Sequence, residues 1–171
     1  GGALPEGEVL PWIGQVCDAL TYLHSQLRPI IHRDVKPQNI IITPAGRAML
    51  VDFGTSKIAD GGALTRPGGR AVTTGFSPPE QYGVAGHTGV RSDIYALGAT
   101  LYAALTGRAP PDAVDRLQGN ATLAPPRQLK PEISLGVETA VLRALEPQAA
   151  KRFGTIEELK SALAGGLNPL P

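Results

Sequence analysis

Val9, Ile13, Val16, Cys17, Leu20, Leu23 and Leu27 recur at helical spacing with polar positions between them. That period predicts an amphipathic helix from about Glu8 to Gln26, with one face in the core. The pattern then shortens. Ile40-Ile41-Ile42 and Ala48-Met49-Leu50-Val51 are β-prone runs flanking Thr43-Pro44-Ala45-Gly46-Arg47, a string of turn formers, and together they predict a hairpin. From Thr55 to Pro79 apolar residues thin out, and Gly61-Gly62, Pro67-Gly68-Gly69 and several threonines punctuate the stretch. Such a segment buries too little surface to order itself, and a loop longer than about 15 residues inside a compact domain is functional or disordered in most cases.

Beyond the loop, Ile94, Leu97, Leu101 and Leu105 share one helical face, with Tyr95, Ala99 and Tyr102 around it. A helix from Ser92 to about Leu105 that is apolar on nearly all sides is predicted to be buried. Arg108-Ala109-Pro110-Pro111 ends it, and the Pro-rich stretch to Pro131 reads as an irregular connection. Val137, Ala140, Val141, Ala144 and Leu145 form another helical face stopped by Pro147. Thr155-Ile156-Glu157-Glu158 has the form of a capping box ahead of a last helix marked by Ile156, Leu159 and Leu163. The sum is about five helices and one hairpin without internal repeats, a mainly α fold with a small β-hairpin.

Composition narrows the class. At 171 residues with 42% hydrophobic content the chain is long enough for one domain with a sizeable core and too short for two independent ones. A net charge of +1 gives no electrostatic reason to expect nucleic acid or an anionic membrane as partner. The single cysteine, Cys17, lies on the apolar face of the first helix and reads as a small buried hydrophobe in a reducing compartment rather than a reactive thiol. No stretch approaches the roughly 20 uninterrupted apolar residues of a membrane span, and no signal peptide opens the chain, so a cytoplasmic location without membrane contact from this segment is expected. A membrane anchor in a longer parent is compatible with that expectation.

Candidate chemistry concentrates in His32-Arg33-Asp34-Val35-Lys36-Pro37-Gln38-Asn39 and, after the hairpin, Asp52-Phe53-Gly54. A carboxylate, an ammonium and a carboxamide on one loop, with a second carboxylate arriving from a strand end, suit phosphoryl transfer from a magnesium nucleotide. The acceptor hydroxyl must be aimed and the phosphate charge neutralised. Asp34 would accept or orient the hydroxyl proton, and Lys36 would stabilise the transferring phosphate. Asn39 and Asp52 would supply hard oxygen ligands for Mg²⁺. His24, in the first helix, has no partner at metal spacing and reads as a buried, hydrogen-bonded core residue. His87 and Arg91 read as surface residues.

These two motifs resemble the catalytic loop, HRDxKxxN, and the metal-binding DFG of the protein kinase family. Lys36, two positions after Asp34, is similar to the serine/threonine branch, and the Pro-Pro-Glu-Gln-Tyr stretch resembles bacterial members. The resemblance implies a kinase large lobe over residues 1–165, with 166–171 a linker or tail, and ATP with Mg²⁺, or Mn²⁺ in its place, as cofactors. Lys36, Asn39, Ile41 and Asp52 would contact the nucleotide complex, Ile41 as the floor under the adenine. Ile40 and Ile42 read almost equally well as plain core. His32, Phe53 and Gly54 would be structural parts of the two motifs.

The same resemblance makes the Thr-rich loop an activation loop. Arg33 would then pair with a phosphate added to it. Thr65 is the first candidate phosphosite, with Thr55, Ser56, Thr73 and Thr74 as rivals. Val72-Thr73 and Pro78-Pro79-Glu80 stand where the family often has Gly-Thr and Ala-Pro-Glu. Thr73 would be the hydroxyl that bonds Asp34 and Lys36. Glu80 would be a buried carboxylate paired with Arg152, and Asp93, opening the central helix, would accept hydrogen bonds from the catalytic-loop backbone.

A complete kinase of this kind carries a glycine-rich loop, a strand Lys and a helix Glu ahead of its catalytic loop. None is found in the roughly 30 residues before His32, which read as one helix. The expectation is a large lobe whose small lobe belongs to a longer parent, a serine/threonine protein kinase acting on proteins, with the isolated chain weakly active. Two alternatives stand beside it. One is a regulatory lobe that docks proteins without turning over nucleotide, and the other is a small-molecule kinase, disfavoured by the substrate-positioning segment around Thr73.

Overall fold

The computed structural model describes residues 2–54, 56–58, 72–84 and 86–165. Helix α1, Glu6–His24, buries Val9, Leu10, Ile13, Val16, Cys17 and Leu20. Glu6 and Glu8 lie in its first turn, where the exposed amides favour negative charge. The helix predicted from Glu8 to Gln26 thus begins and ends two residues earlier than its periodicity suggests. The Ser25 hydroxyl and the Gln26 amide both donate to the Tyr22 carbonyl, at 3.0 and 2.7 Å. Those side chains take up a helix-end acceptor, and Leu27, beyond the end, is exposed rather than core.

The backbone then forms strand β1, Ile30–Ile31, the catalytic-motif loop, and a 3-10 turn at Pro37–Asn39. Strands β2, Ile40–Ile42, and β3, Ala48–Leu50, make the expected antiparallel hairpin, with Ile41 opposite Met49. A further short strand, β4, Lys57–Ile58, pairs antiparallel with β1. A two-residue strand leaves no alternation in the sequence, so this pairing has no local signal.

Helix α2, Pro79–Tyr82, follows the Thr73–Pro78 segment and leads to the central helix α3, Val90–Thr106. Helix α3 starts two residues before Ser92, because the Ser92 hydroxyl caps the end by accepting from the Gly89 amide at 3.1 Å. It is buried on nearly all sides, as expected. Helices α1, α6 (Leu135–Ala144) and α7 (Ile156–Gly165) pack around it. Gly98 permits the closest approach: a Cβ there would sit 2.7 Å from the Ala144 methyl.

The stretch between Arg108 and Pro131 is less irregular than predicted. Asp112 accepts from the amides of Val114 and Asp115 and caps a short helix α4, Ala113–Leu117. Pro126 opens α5, Pro126–Leu129, at the helix position that needs no amide donor. Both helices are too short to show a period. At α7, the Thr155 hydroxyl accepts from the Glu158 amide at 3.3 Å, but the Glu158 carboxylate reaches past Thr155 to the Gly154 amide at 2.8 Å.

Cys17 is fully buried between α1 and α7, and burial pushes its thiol up to about 12. The thiolate is the reactive form, so this cysteine is inert in the folded state. Among the described residues no helix is long and apolar enough to cross a membrane.

Candidate active site

The loop from His32 to Asn39 hangs from α3. Asp93, fully buried in the first turn of that helix, accepts from the His32 amide at 2.9 Å and from the Arg33 amide at 2.8 Å. The His24 ring nitrogen Nε2 donates to the same carboxylate at 2.8 Å, which gives the core histidine its partner. Arg33 is held at φ 69°, in the left-handed region where a long side chain costs of order 1–3 kcal/mol. Such a backbone persists only where the surroundings over-determine it. Here they do: Asp93 takes the Arg33 amide, and the Gln81 side chain donates to the Arg33 carbonyl at 2.7 Å.

The residues named as chemistry meet at the mouth of this loop. Lys36 Nζ lies 2.8 Å from Asp34 Oδ2 and donates to the Thr73 hydroxyl at 3.2 Å. The Thr73 hydroxyl donates to Asp34 Oδ1 at 3.1 Å. Asn39 Nδ2 donates to the backbone carbonyl of Asp34 at 2.8 Å and to its Oδ2 at 3.0 Å. Asp34 is therefore gripped on both oxygens, by an ammonium and a carboxamide on one and a hydroxyl on the other. Each grip comes from a different local element: the loop, the 3-10 turn, and the segment before α2.

Asp52 arrives at the end of the hairpin, where the Val51 amide bonds the Asn39 carbonyl at 2.9 Å. It is also in the left-handed region, at φ 63°, with Oδ1 accepting from the Gly54 amide at 3.2 Å. Asn39 spends its nitrogen on Asp34, so its Oδ1 is the atom it has to offer a cation. A carboxamide oxygen and a carboxylate are a hard donor pair suited to Mg²⁺, which takes one or two protein ligands and completes its shell with water and phosphate oxygens. No cluster of three or more His, Cys, Asp or Glu able to hold a metal occurs among the described residues.

The surroundings sort the remaining candidates. His32 donates from Nε2 to the Val51 carbonyl at 3.2 Å, and its ring meets Phe53 edge-on with centroids 4.9 Å apart. Ile41 faces outward and is 52% exposed, whereas Ile40 packs partly on the core. Ile42 is not plain core: it is 38% exposed and, with Trp12, Ile13, Gln38 and Phe76, lines a cavity of about 490 Å³. His87 and Arg91 are exposed.

Glu80 and Arg152 form the buried pair, at 2.7 and 3.1 Å, over 72 residues of chain. The rest of the guanidinium donates to the carbonyls of Glu146, Arg91 and Pro147, so its five N–H groups are all used. The plane also lies 4.8 Å over the Tyr95 ring. Glu80 additionally accepts from the Ser92 hydroxyl at 2.9 Å. Two residues after Glu80, the Tyr82 hydroxyl donates to Asp112, and burial together with that bond raises its phenol above the ordinary range.

Sequence reasoning missed Gln81, the His24 link to Asp93, and the Tyr82 link to Asp112. Gln81 was visible only as part of the Pro-Pro-Glu-Gln-Tyr run, without a role. Thr65 and Thr55 lie outside the described residues. Arg33 is 5% exposed, with its backbone fixed as above.

The described residues thus build a helical domain that presents one carboxylate, gripped by lysine, asparagine and threonine, beside a second carboxylate at a hairpin end. A sequence profile of the protein kinase domain matches residues 1–159, and the chain belongs to that family. It is 33% identical over 168 residues to the serine/threonine-protein kinase PknB of Mycobacterium leprae, covering 95% of this chain and 26% of that protein. It is 36% identical over 173 residues to the serine/threonine-protein kinase Pkn1 of Myxococcus xanthus, covering 95% of this chain and 24% of that one. The chain thus spans about a quarter of the length of these relatives. Its fold is similar to the crystal structure of the Mycobacterium tuberculosis PknI kinase domain, with TM-score 0.69 at 30% identity over 96% of this chain and 57% of that one. It is also similar to the apo form of PpkA-294, with TM-score 0.75 at 26% identity, covering 92% and 54%.

Proposed function

We propose that this chain is the large lobe of a bacterial-type serine/threonine protein kinase that transfers the terminal phosphate of ATP to Ser or Thr hydroxyls of proteins. The observation that carries the reading is the grip on Asp34. Its Oδ1 already accepts a hydroxyl proton, from Thr73, while Lys36 lies against its Oδ2. A carboxylate so placed orients an incoming acceptor hydroxyl and takes its proton as the new bond forms. Lys36, between Asp34 and Thr73, carries the positive charge that faces the phosphate oxygens. Asn39 Oδ1 and Asp52 are the residues that would hold Mg²⁺, which when bound neutralises charge on the nucleotide phosphates. Ile41 offers an exposed apolar surface for the adenine ring.

The serine/threonine assignment rests on Lys36 and on the relatives, which are serine/threonine-protein kinases. Protein substrates are supported by the family and by the Thr73 segment, whose hydroxyl sits on Asp34. The residues before His32 hold no lysine and no G-x-G-x-x-G run, so the isolated chain is expected to bind ATP weakly and to transfer phosphate poorly. The test is phosphate transfer from labelled ATP to a protein acceptor by the whole protein. Asp34→Asn is expected to lower the rate by about 10²- to 10⁴-fold, the usual worth of a positioned general base. An unchanged rate would remove Asp34 from the reaction, and transfer to small molecules alone would move the protein to another kinase class.

A further inference from the structure

Gln81 is 2% exposed, and its side-chain nitrogen donates to the Arg33 carbonyl at 2.7 Å across 48 residues of chain. That carbonyl belongs to the peptide unit whose other end is the Asp34 amide. Among the described residues the amide itself makes a long contact, 3.4 Å, to His32 Nδ1. Asp93 secures the amide side of Arg33 at 2.8 Å, one peptide earlier. The plane from which the Asp34 side chain departs is therefore set from its carbonyl end, by Gln81. Arg33 has its φ at 69°, in the left-handed region that a non-glycine residue keeps only where its surroundings hold it.

Gln81 is well anchored for the task. It sits in α2 directly after Glu80, which the Arg152 guanidinium and the Ser92 hydroxyl hold in the core. We propose that Gln81 is a positioning residue for Asp34. It acts through the Arg33–Asp34 peptide and couples the placement of the substrate-side segment to the aim of the carboxylate. The kinetic part of this inference rests on the kinase reading above, and its structural part does not.

The variant is Gln81→Met, which keeps the length of the side chain and removes the donor. On the chain itself, amide hydrogen exchange is expected to accelerate about tenfold or more within residues 31–36 while exchange in α1 stays as in the parent sequence. Unchanged exchange in 31–36, or equal acceleration throughout α1, overturns the inference, because the first denies the tether and the second reduces Gln81 to general packing. In the whole protein, kcat is expected to fall about 10- to 100-fold with KM for ATP within about twofold. A kcat equal to that of the unmodified protein also overturns it. If the unmodified protein transfers no phosphate, the kinase reading fails, and the exchange measurement still decides whether Gln81 holds the loop.

Discussion

The ground beneath the His32–Asn39 loop and the outer face of the hairpin are built by opposite rules. Under the loop, Asp93 is fully buried and both of its oxygens are spent, on two backbone amides and a histidine. On the hairpin side, Ile41, Met49 and Phe53 stand 52%, 51% and 49% exposed. The first region satisfies buried polar groups with partners drawn from distant parts of the chain. The second leaves apolar surface open, as a face awaiting a ligand or another layer does. Geometry that must not drift is locked from within, and the surface proposed for the nucleotide is unlocked.

If that contrast is sound, substitutions below the loop are costly in stability and substitutions on the hairpin face are not. The largest effect is expected from Arg152→Ala, which strands the buried Glu80 carboxylate and frees three carbonyls. A loss of about 3–5 kcal/mol is expected, read as a lower urea midpoint at constant slope. Asp93→Asn comes next. One of its carboxylate oxygens becomes a donor facing backbone amides, and about 1–3 kcal/mol is expected to be lost. Gly98→Ala forces its methyl against Ala144 at 2.7 Å, with a cost of about 1–3 kcal/mol for overpacking and no direct effect on the loop.

The smallest stability effect belongs to the other region. Ile41→Asp is expected to change stability by no more than about 0.5 kcal/mol while weakening nucleotide binding in the whole protein, measured by titration calorimetry with magnesium and ATP. A stability loss at Ile41 equal to that at Arg152 would dissolve the contrast. Retained ATP affinity would take the adenine off this face.

Much of the site was legible in the chain. The order and spacing of His32 to Asn39 and Asp52 to Gly54 carry the proposed chemistry, because the groups assigned to it sit on one loop and one adjacent strand end. Helices α1, α3, α6 and α7 follow from periodicity, since each buries a continuous face that its own residues declare. The Asp34–Thr73 and Glu80–Arg152 contacts were reachable through family resemblance, although they join residues 39 and 72 positions apart.

What stayed hidden has one physical cause. Short elements such as α4, α5 and the β1–β4 pair are shorter than any period that would reveal them, and they exist because a cap or a neighbour supplies the missing bonds. Gln81 looks like an ordinary polar residue in sequence, and His24 reads as a hydrogen-bonded core residue whose partner the sequence does not name. Their roles come from burial against Arg33 and Asp93, where an unpartnered carbonyl or carboxylate would be costly. Local order carries the kinds of groups that do chemistry and the faces that make a core. The partner that satisfies each buried polar atom is chosen by three-dimensional proximity, which linear spacing does not encode.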